Sequence, residues 1–349
     1  MRFLRRWINK VRGARPLFGR SIAAGRSRFL AGTFEDSGGA APLGRSPRRE
    51  LEYRLYLPSG SSPSDSLPLI VMLHGCKQDP VGFAEGTRMN ALADDGRCAV
   101  LYPAQSARSN PLRCWNWFEP DSLAGRGEAA LIARLIAQIT RRRPIDPRRV
   151  YVVGMSADGA MACVLAVCHS RLIAACAIHS GVPYGAARSA AQALAAMRSG
   201  TPPASPQQDR QPAREAGESN LMVPTLVIHG DRDATVNPIN ADQIIELLAM
   251  RAESIHPTAG VVRDGERRVE SGGRIYRQQD YLQGGRMVLR KVMVEGLGHA
   301  WSGGDPRHEF NDAHGPDASR LILDFVLRYE LAAAPAIPTS LKWCALRPI

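Results

Sequence analysis

The sequence lacks any run of about eighteen apolar residues, which excludes a membrane-spanning helix of ordinary length. Paired cysteines are missing too. The seven present, Cys76, Cys98, Cys114, Cys163, Cys168, Cys176 and Cys344, are odd in number, scattered and never spaced Cys-x-x-Cys. That disfavours a zinc site, and no disulfide framework is indicated. Most are expected to be small core residues. Cys76 and Cys114 fall in segments at the same inferred edge of the sheet, which leaves a bridge between them open. No internal repeat is visible.

Acidic charge is scarce only at the start. The first 49 residues hold twelve Lys and Arg against Glu35 and Asp36, out of a net charge of +12. The other 300 residues carry 33 basic and 31 acidic groups. A body so nearly neutral lacks the phosphate-neutralising surface that a nucleic-acid partner needs, so none is expected. In MRFLRRWINKVRGARPLFGRS, apolar Phe3, Leu4, Trp7, Ile8 and Val11 recur at helical spacing. Arg2, Arg5, Arg6, Lys10 and Arg12 fall mostly on the other faces. The pattern suits an anionic or apolar surface, while a disordered basic leader is the plainer reading. No apolar stretch follows the arginines, so the leader does not read as a secretory signal.

What the chain does have is strand and helix patterns in alternation. LEYRLYLPSG alternates Leu51, Tyr53, Leu55 and Leu57 and stops at Pro58-Ser59-Gly60. Leu67 to Leu73 is continuously apolar, as in a strand covered on both faces, and CAVLYPA is similar. GEAALIARLIAQITRRR has helical periodicity and a basic end suited to a C-terminus. Then come the strand RRVYVVG, the helix GAMACVLAVCH, the strands IAACAIHSG and PTLVIHG, the helix NADQIIELLAM, the strand RMVLRKVMVEG and the helix SRLILDFVLRY. This order predicts an α/β fold around a doubly wound, mostly parallel sheet. Residues 50–330 are assigned to one domain, with a leader over 1–49 and a tail over 331–349. Residues 186–220 read as a lid-like or loop insertion, and HPTAGVVRDGERRVESGGR as a polar, Gly-rich connection.

One turn carries chemistry. VYVVGMSADGAM runs a buried strand through Gly154, Met155 and Ser156 into small residues and a helix, the layout of a nucleophile elbow. The second glycine of G-x-S-x-G is replaced by Asp158, and Gly159 follows it. A serine needs an imidazole base and a carboxylate to orient that base. Asp231 and Asp233 follow the strand PTLVIHG, and His299 follows the last strand in a glycine-flanked loop. The predicted relay is Ser156, His299 and Asp233, with Asp233 preferred to Asp231 because Gly-x-x-Asp lets the loop turn back. The oxyanion donors are expected to be the amides of Ala157 and, after LHG, of Cys76. His74 is open to a structural role. Trp115, Trp117 and Trp301 are candidates for the cleft wall.

With those residues in view, the chain resembles the polyhydroxybutyrate (PHB) depolymerase family of esterases, within the α/β-hydrolase superfamily. LHGCKQ, CWNWF, IDPRRVYVVGMSADGAMA, HSGVPYGAA, VIHGDRDATVNP and GLGHAWSGG are similar to its successive blocks, from about residue 50 to residue 330. The resemblance implies Ser156 as nucleophile, Asp233 as acid, His299 as base, and Cys76 and Ala157 at the oxyanion hole. It implies hydrolysis of poly(3-hydroxybutyrate), its oligomers or related short-chain esters, with no cofactor and no metal. The family usually has Gly-Gly where Asp158-Gly159 stands. A polymer granule or an anionic surface is the candidate partner of the basic leader. The lack of a secretory signal favours a cytoplasmic or granule-associated location, whereas many members of the resembling family are extracellular, so the location stays open. Two alternatives are an acetylxylan- or feruloyl-type carbohydrate esterase and a granule-surface binding protein with a degenerate hydrolase body.

Overall fold

A computed structural model describes residues 27–36, 49–201 and 221–333. The helical pattern of the leader, the Pro/Gln/Ser-rich part of the insertion and most of the C-terminal tail lie outside the described residues. Within them, ten strands form one sheet. They are β1 (Arg28–Asp36), β2 (Arg49–Leu57), β3 (Leu67–Leu73), β4 (Ala99–Pro103), β5 (Ile145–Met155), β6 (Ala175–His179), β7 (Thr225–Gly230), β8 (Val261–Ser271), β9 (Arg274–Gln283) and β10 (Arg286–Val294). Their spatial order is β1-β2-β4-β3-β5-β6-β7-β10-β9-β8. The six central strands run parallel. Both flanks are antiparallel.

The central strands are apolar because both faces are covered. Every residue of β3, β4, β6 and β7 is buried. The helices described are α1 (Pro80–Thr87), α2 (Met89–Asp95), α3 (Pro120–Leu123), α4 (Gly127–Arg142), α5 (Ala157–Cys168), α6 (Ala190–Ser199), α7 (Ile239–Ile255) and α8 (Ala318–Val326). Helices α4, α5 and α7 supply one core, and α1, α2 and α8 the other. All of α5 is buried, which its small residues allow. Helix α4 keeps Glu128 in its first turn and Arg141 and Arg142 in its last, the arrangement its dipole favours. Helix α6 lies in the segment read as an insertion.

Two readings need correction. The sheet begins inside the segment assigned to the leader: β1 pairs with β2 from Arg28 opposite Leu57 to Asp36 opposite Arg49. Phe34 is 4% exposed, and Arg134 of α4 grips the buried Asp36 with two bonds of 3.0 and 2.6 Å. An edge strand that faces solvent along most of its length carries no continuous apolar signal. The stretch read as a polar connection is largely strand β8 and the turn that pairs it with β9. Gly272 and Gly273 turn it with φ of +56° and +77°, the positive values a two-residue type I′ turn requires. Strand β8 is mostly exposed, so charge fills the positions where alternation would otherwise show, and that charge blunts the open edge.

If β1 belongs to the body, Phe34→Ala is expected to lower the unfolding free energy by about 3–5 kcal/mol. Denaturant unfolding monitored by circular dichroism measures it, and a parental stability would detach β1 from the core.

Candidate active site

The parallel strands point their carboxyl ends to one rim, where crossover loops meet. At that rim β5 turns into α5 through Ser156, whose backbone takes φ 62° and ψ −133°. This is a costly conformation for a residue with a side chain, held by the Ser156 amide donating to the His179 carbonyl at 2.9 Å. The strand and helix meet so closely that a Cβ on Gly154 would lie 2.1 Å from the Asp158 carbonyl oxygen. Glycine is therefore required there.

The loop after β7 supplies Asp233 and the loop after β10 supplies His299. His299 Nε2 lies 2.9 Å from Ser156 Oγ, and its Nδ1 lies 2.7 Å from Asp233 Oδ2. Asp233 Oδ1 accepts the Thr235 and Val236 amides at 2.9 and 2.8 Å. Burial alone would raise the pKa of Asp233. The His299 hydrogen bond and charge, with the Val236 amide, outweigh it and hold the carboxyl below its ordinary value. The carboxylate is thus fixed as an acceptor, which orients Nδ1–H towards it and leaves Nε2 free to take the serine proton. Asp231, the aspartate passed over, braces the histidine loop instead: its Oδ1 accepts the Gly296 amide at 2.7 Å.

Sequence reasoning missed two buried histidines beside this relay. His229 Nε2 donates to the Val236 carbonyl at 2.9 Å and lies 3.5 Å from Asp233 Oδ2. His179 stacks on Trp301, with ring centroids 5.0 Å apart, and accepts the Ser302 amide at Nε2. Burial drives both pKa values down, that of His179 to about 3, with the neighbouring His229 and His299 adding to the shift. His229 stood in VIHGDRD beside the predicted acid, but nothing in the sequence separates such a residue from core.

On the other side of Ser156, β3 ends at Leu73 and His74 follows it. Burial keeps this imidazole neutral, against a smaller opposing effect of the Gly75 carbonyl. Its Nδ1 donates to that carbonyl at 3.1 Å and its Nε2 accepts the Gln105 amide at 3.2 Å. His74 is thus a brace between two loops. The Gly75 amide is held by Gln78 Oε1 at 2.7 Å. Cys76 follows, and its amide and that of Ala157 donate to no acceptor among the described residues. Cys76 and Cys114 are joined by a disulfide, with Cα atoms 4.4 Å apart.

The three tryptophans are buried instead of standing exposed beside the relay, and of them only Trp115 reaches the cavity along β1 and β2. Trp115, Trp117 and Trp301 are each 1% exposed. Trp301 Nε1 donates to Ser319 Oγ at 3.1 Å, and its ring meets Phe83 edge-on. Position along the chain placed these residues at the rim, but their side chains turn inward because such large apolar surfaces gain most from burial. Phe310 flanks the His299 ring instead, edge-on at 6.2 Å. A cavity of about 1500 Å³ opens along β1, β2 and the 104–109 loop, and no side chain of the relay lines it. Among the described residues there is no group of three side chains suited to a metal ion, and no helix long and apolar enough to cross a membrane.

The family described as Esterase PHB depolymerase matches residues 51–272. A poly(3-hydroxyalkanoate) depolymerase C of Paucimonas lemoignei is 36% identical over 200 residues, 55% of this chain and 46% of that protein. A feruloyl esterase B of Thermothelomyces thermophilus is 30% identical over 195 residues, 51% of this chain and 63% of that protein. The chain thus spans less than two thirds of the length of either relative. Among solved structures, an acetyl xylan esterase from Aspergillus awamori superposes with a TM-score of 0.60 at 18% identity, covering 77% of this chain and 94% of that one. At that identity the likeness carries the fold alone, and the fold is that of the α/β-hydrolases.

The buried histidines set a pH dependence. A folded pKa of about 3 for His179, against an ordinary value of 6.5, means the unfolded chain binds the proton first as pH falls. Its stabilising contribution is complete above pH 6.5 and is lost progressively towards pH 3. Between pH 6 and 4, His179→Asn is expected to make stability less steep by about 1.4 kcal/mol per pH unit. Urea unfolding at stepped pH measures it, and equal slopes would contradict the assignment.

Proposed function

The chain belongs to the esterase PHB depolymerase family, and we propose that it is a serine esterase acting on poly(3-hydroxybutyrate), its oligomers or related short-chain esters. The observation that carries this reading is the unbroken relay of hydrogen bonds from Ser156 Oγ through His299 to Asp233. Ser156 Oγ attacks the ester carbonyl carbon while His299 Nε2 takes its proton. Asp233 stabilises the imidazolium that forms. The amides of Cys76 and Ala157 receive the developing oxyanion. Collapse of the tetrahedral intermediate breaks the bond to the alcohol, which leaves with the proton from His299. Water, deprotonated by the same imidazole, then attacks the acyl-enzyme and releases the acid and the free serine.

The similarity to a feruloyl esterase supports a second reading, a carbohydrate esterase using the same side chains. Rates on feruloyl esters, hydroxybutyrate trimers and amorphous polymer, measured side by side, separate the two. The basic segment Met1–Arg28 is proposed to hold the protein on a polymer granule or anionic surface, on the strength of its charge and spacing. Its deletion is then expected to abolish granule co-sedimentation and spare soluble esters. Loss of neither would remove the anchor from the proposal.

Ser156→Ala is expected to lower kcat on p-nitrophenyl butyrate by at least about 10⁴-fold with the circular dichroism spectrum unchanged. Turnover persisting in that variant overturns the serine mechanism.

A further inference from the structure

Asp158 is completely buried two positions after the nucleophile, yet the relay makes no use of it. Its Oδ1 accepts the Trp115 amide at 2.8 Å, while Oδ2 has no hydrogen-bond partner. Burial raises its pKa well above the ordinary carboxyl value, and nearby Glu128 adds to the shift. A carboxyl in such a place is expensive. A glycine, as in G-x-S-x-G, would remove it but leave the Trp115 amide unpaired.

The amide it holds belongs to the residue after Cys114, and Cys114 is bridged to Cys76. A continuous connection therefore runs from Ala157 and Asp158 at the elbow, through the Trp115 amide and the disulfide, to Cys76. Its two ends carry the two amides assigned to the oxyanion hole. Two more bonds stiffen the far loop, Lys77 N to the Leu112 carbonyl at 2.7 Å and Gln105 Nε2 to the Cys114 carbonyl at 3.2 Å. Without this tie the two donors sit on separate loops, one after β3 and one at the start of α5. Oxyanion stabilisation depends steeply on where such donors point.

We propose that Asp158 is a positioning residue that, acting with the Cys76–Cys114 bridge, sets the spacing of the two oxyanion-hole amides; this rests on the esterase reading of Ser156. The test is hydrolysis of p-nitrophenyl butyrate by the full chain, with kcat and KM separated. Asp158→Ala is expected to lower kcat by about 10²-fold at nearly parental KM, since the loss falls on the transition state. Asp158→Asn keeps an oxygen for the Trp115 amide and is expected to recover most of that rate. Replacing both cysteines, Cys76→Ser with Cys114→Ser, is expected to lower kcat similarly. Adding Asp158→Ala to that pair is expected to cost little more, because both changes cut one connection.

A parental kcat in Asp158→Ala, a loss confined to KM or to thermal stability, or losses that multiply in the combined variant would overturn the proposal. Should Asp158→Ala fail to fold, the cysteine pair decides: lowered kcat at parental KM supports the tie, and parental kcat refutes it. Ser156→Ala run alongside keeps the two claims apart. An inactive Ser156→Ala beside a fully active Asp158→Ala sinks only the positioning role, whereas an active Ser156→Ala sinks the esterase reading itself.

Discussion

A parallel strand and the helix covering it meet at Ser156 with almost no space between them, and the residue at the corner is forced to φ 62°. Most residues would relieve that strain, which is worth on the order of 1–3 kcal/mol. Here the central position of β5 and the complete burial of α5 leave no other path. The same corner lifts the hydroxyl above the sheet and starts α5 at Ala157, whose amide has no helical partner. The hydroxyl and the amide proposed as nucleophile and first oxyanion donor thus come from one backbone constraint. The remaining parts arrive from the ends of β3, β7 and β10 because every parallel strand delivers its following loop to the same rim.

Much of this was legible in the sequence. Apolar runs marked β3, β5, β6 and β7 because strands covered on both faces have no solvent side to fill. Ser156, Asp233 and His299 were legible because each follows such a run in the order this topology demands. Asp233 was separable from Asp231 by the turn of its loop, and the structure gives Asp231 a different task on the Gly296 amide. The edges were not legible. Strands β1 and β8 face solvent along most of their length, so neither carries a continuous apolar run. Side-chain direction was not legible either. Trp115 and Trp301 stand at the expected places along the chain but point into the cores, where their area is removed from water.

Electrostatics around the relay are arranged by exclusion of water. His179 and His229 are kept neutral by burial, so neither adds a positive charge beside Asp233 and its carboxylate stays available to His299. On the far side, burial disfavours a charge on His74, which joins the β3 and β4 loops. Three imidazoles near one serine thus do structural work as uncharged rings, and the fourth, His299, is aimed at the hydroxyl. The Cys76–Cys114 disulfide and the bond from the Trp115 amide to Asp158 tie together the segments that carry the two amides proposed for the oxyanion.

The central claim is that Ser156 is a hydroxyl activated by His299. Treating the full chain with a fluorophosphonate and mapping the adduct by peptide mass spectrometry tests it most directly. A single phosphonyl group on Ser156, formed at a rate that collapses in His299→Ala, is the expected result. An adduct on another residue, or one on Ser156 that forms as fast without the imidazole, would contradict it.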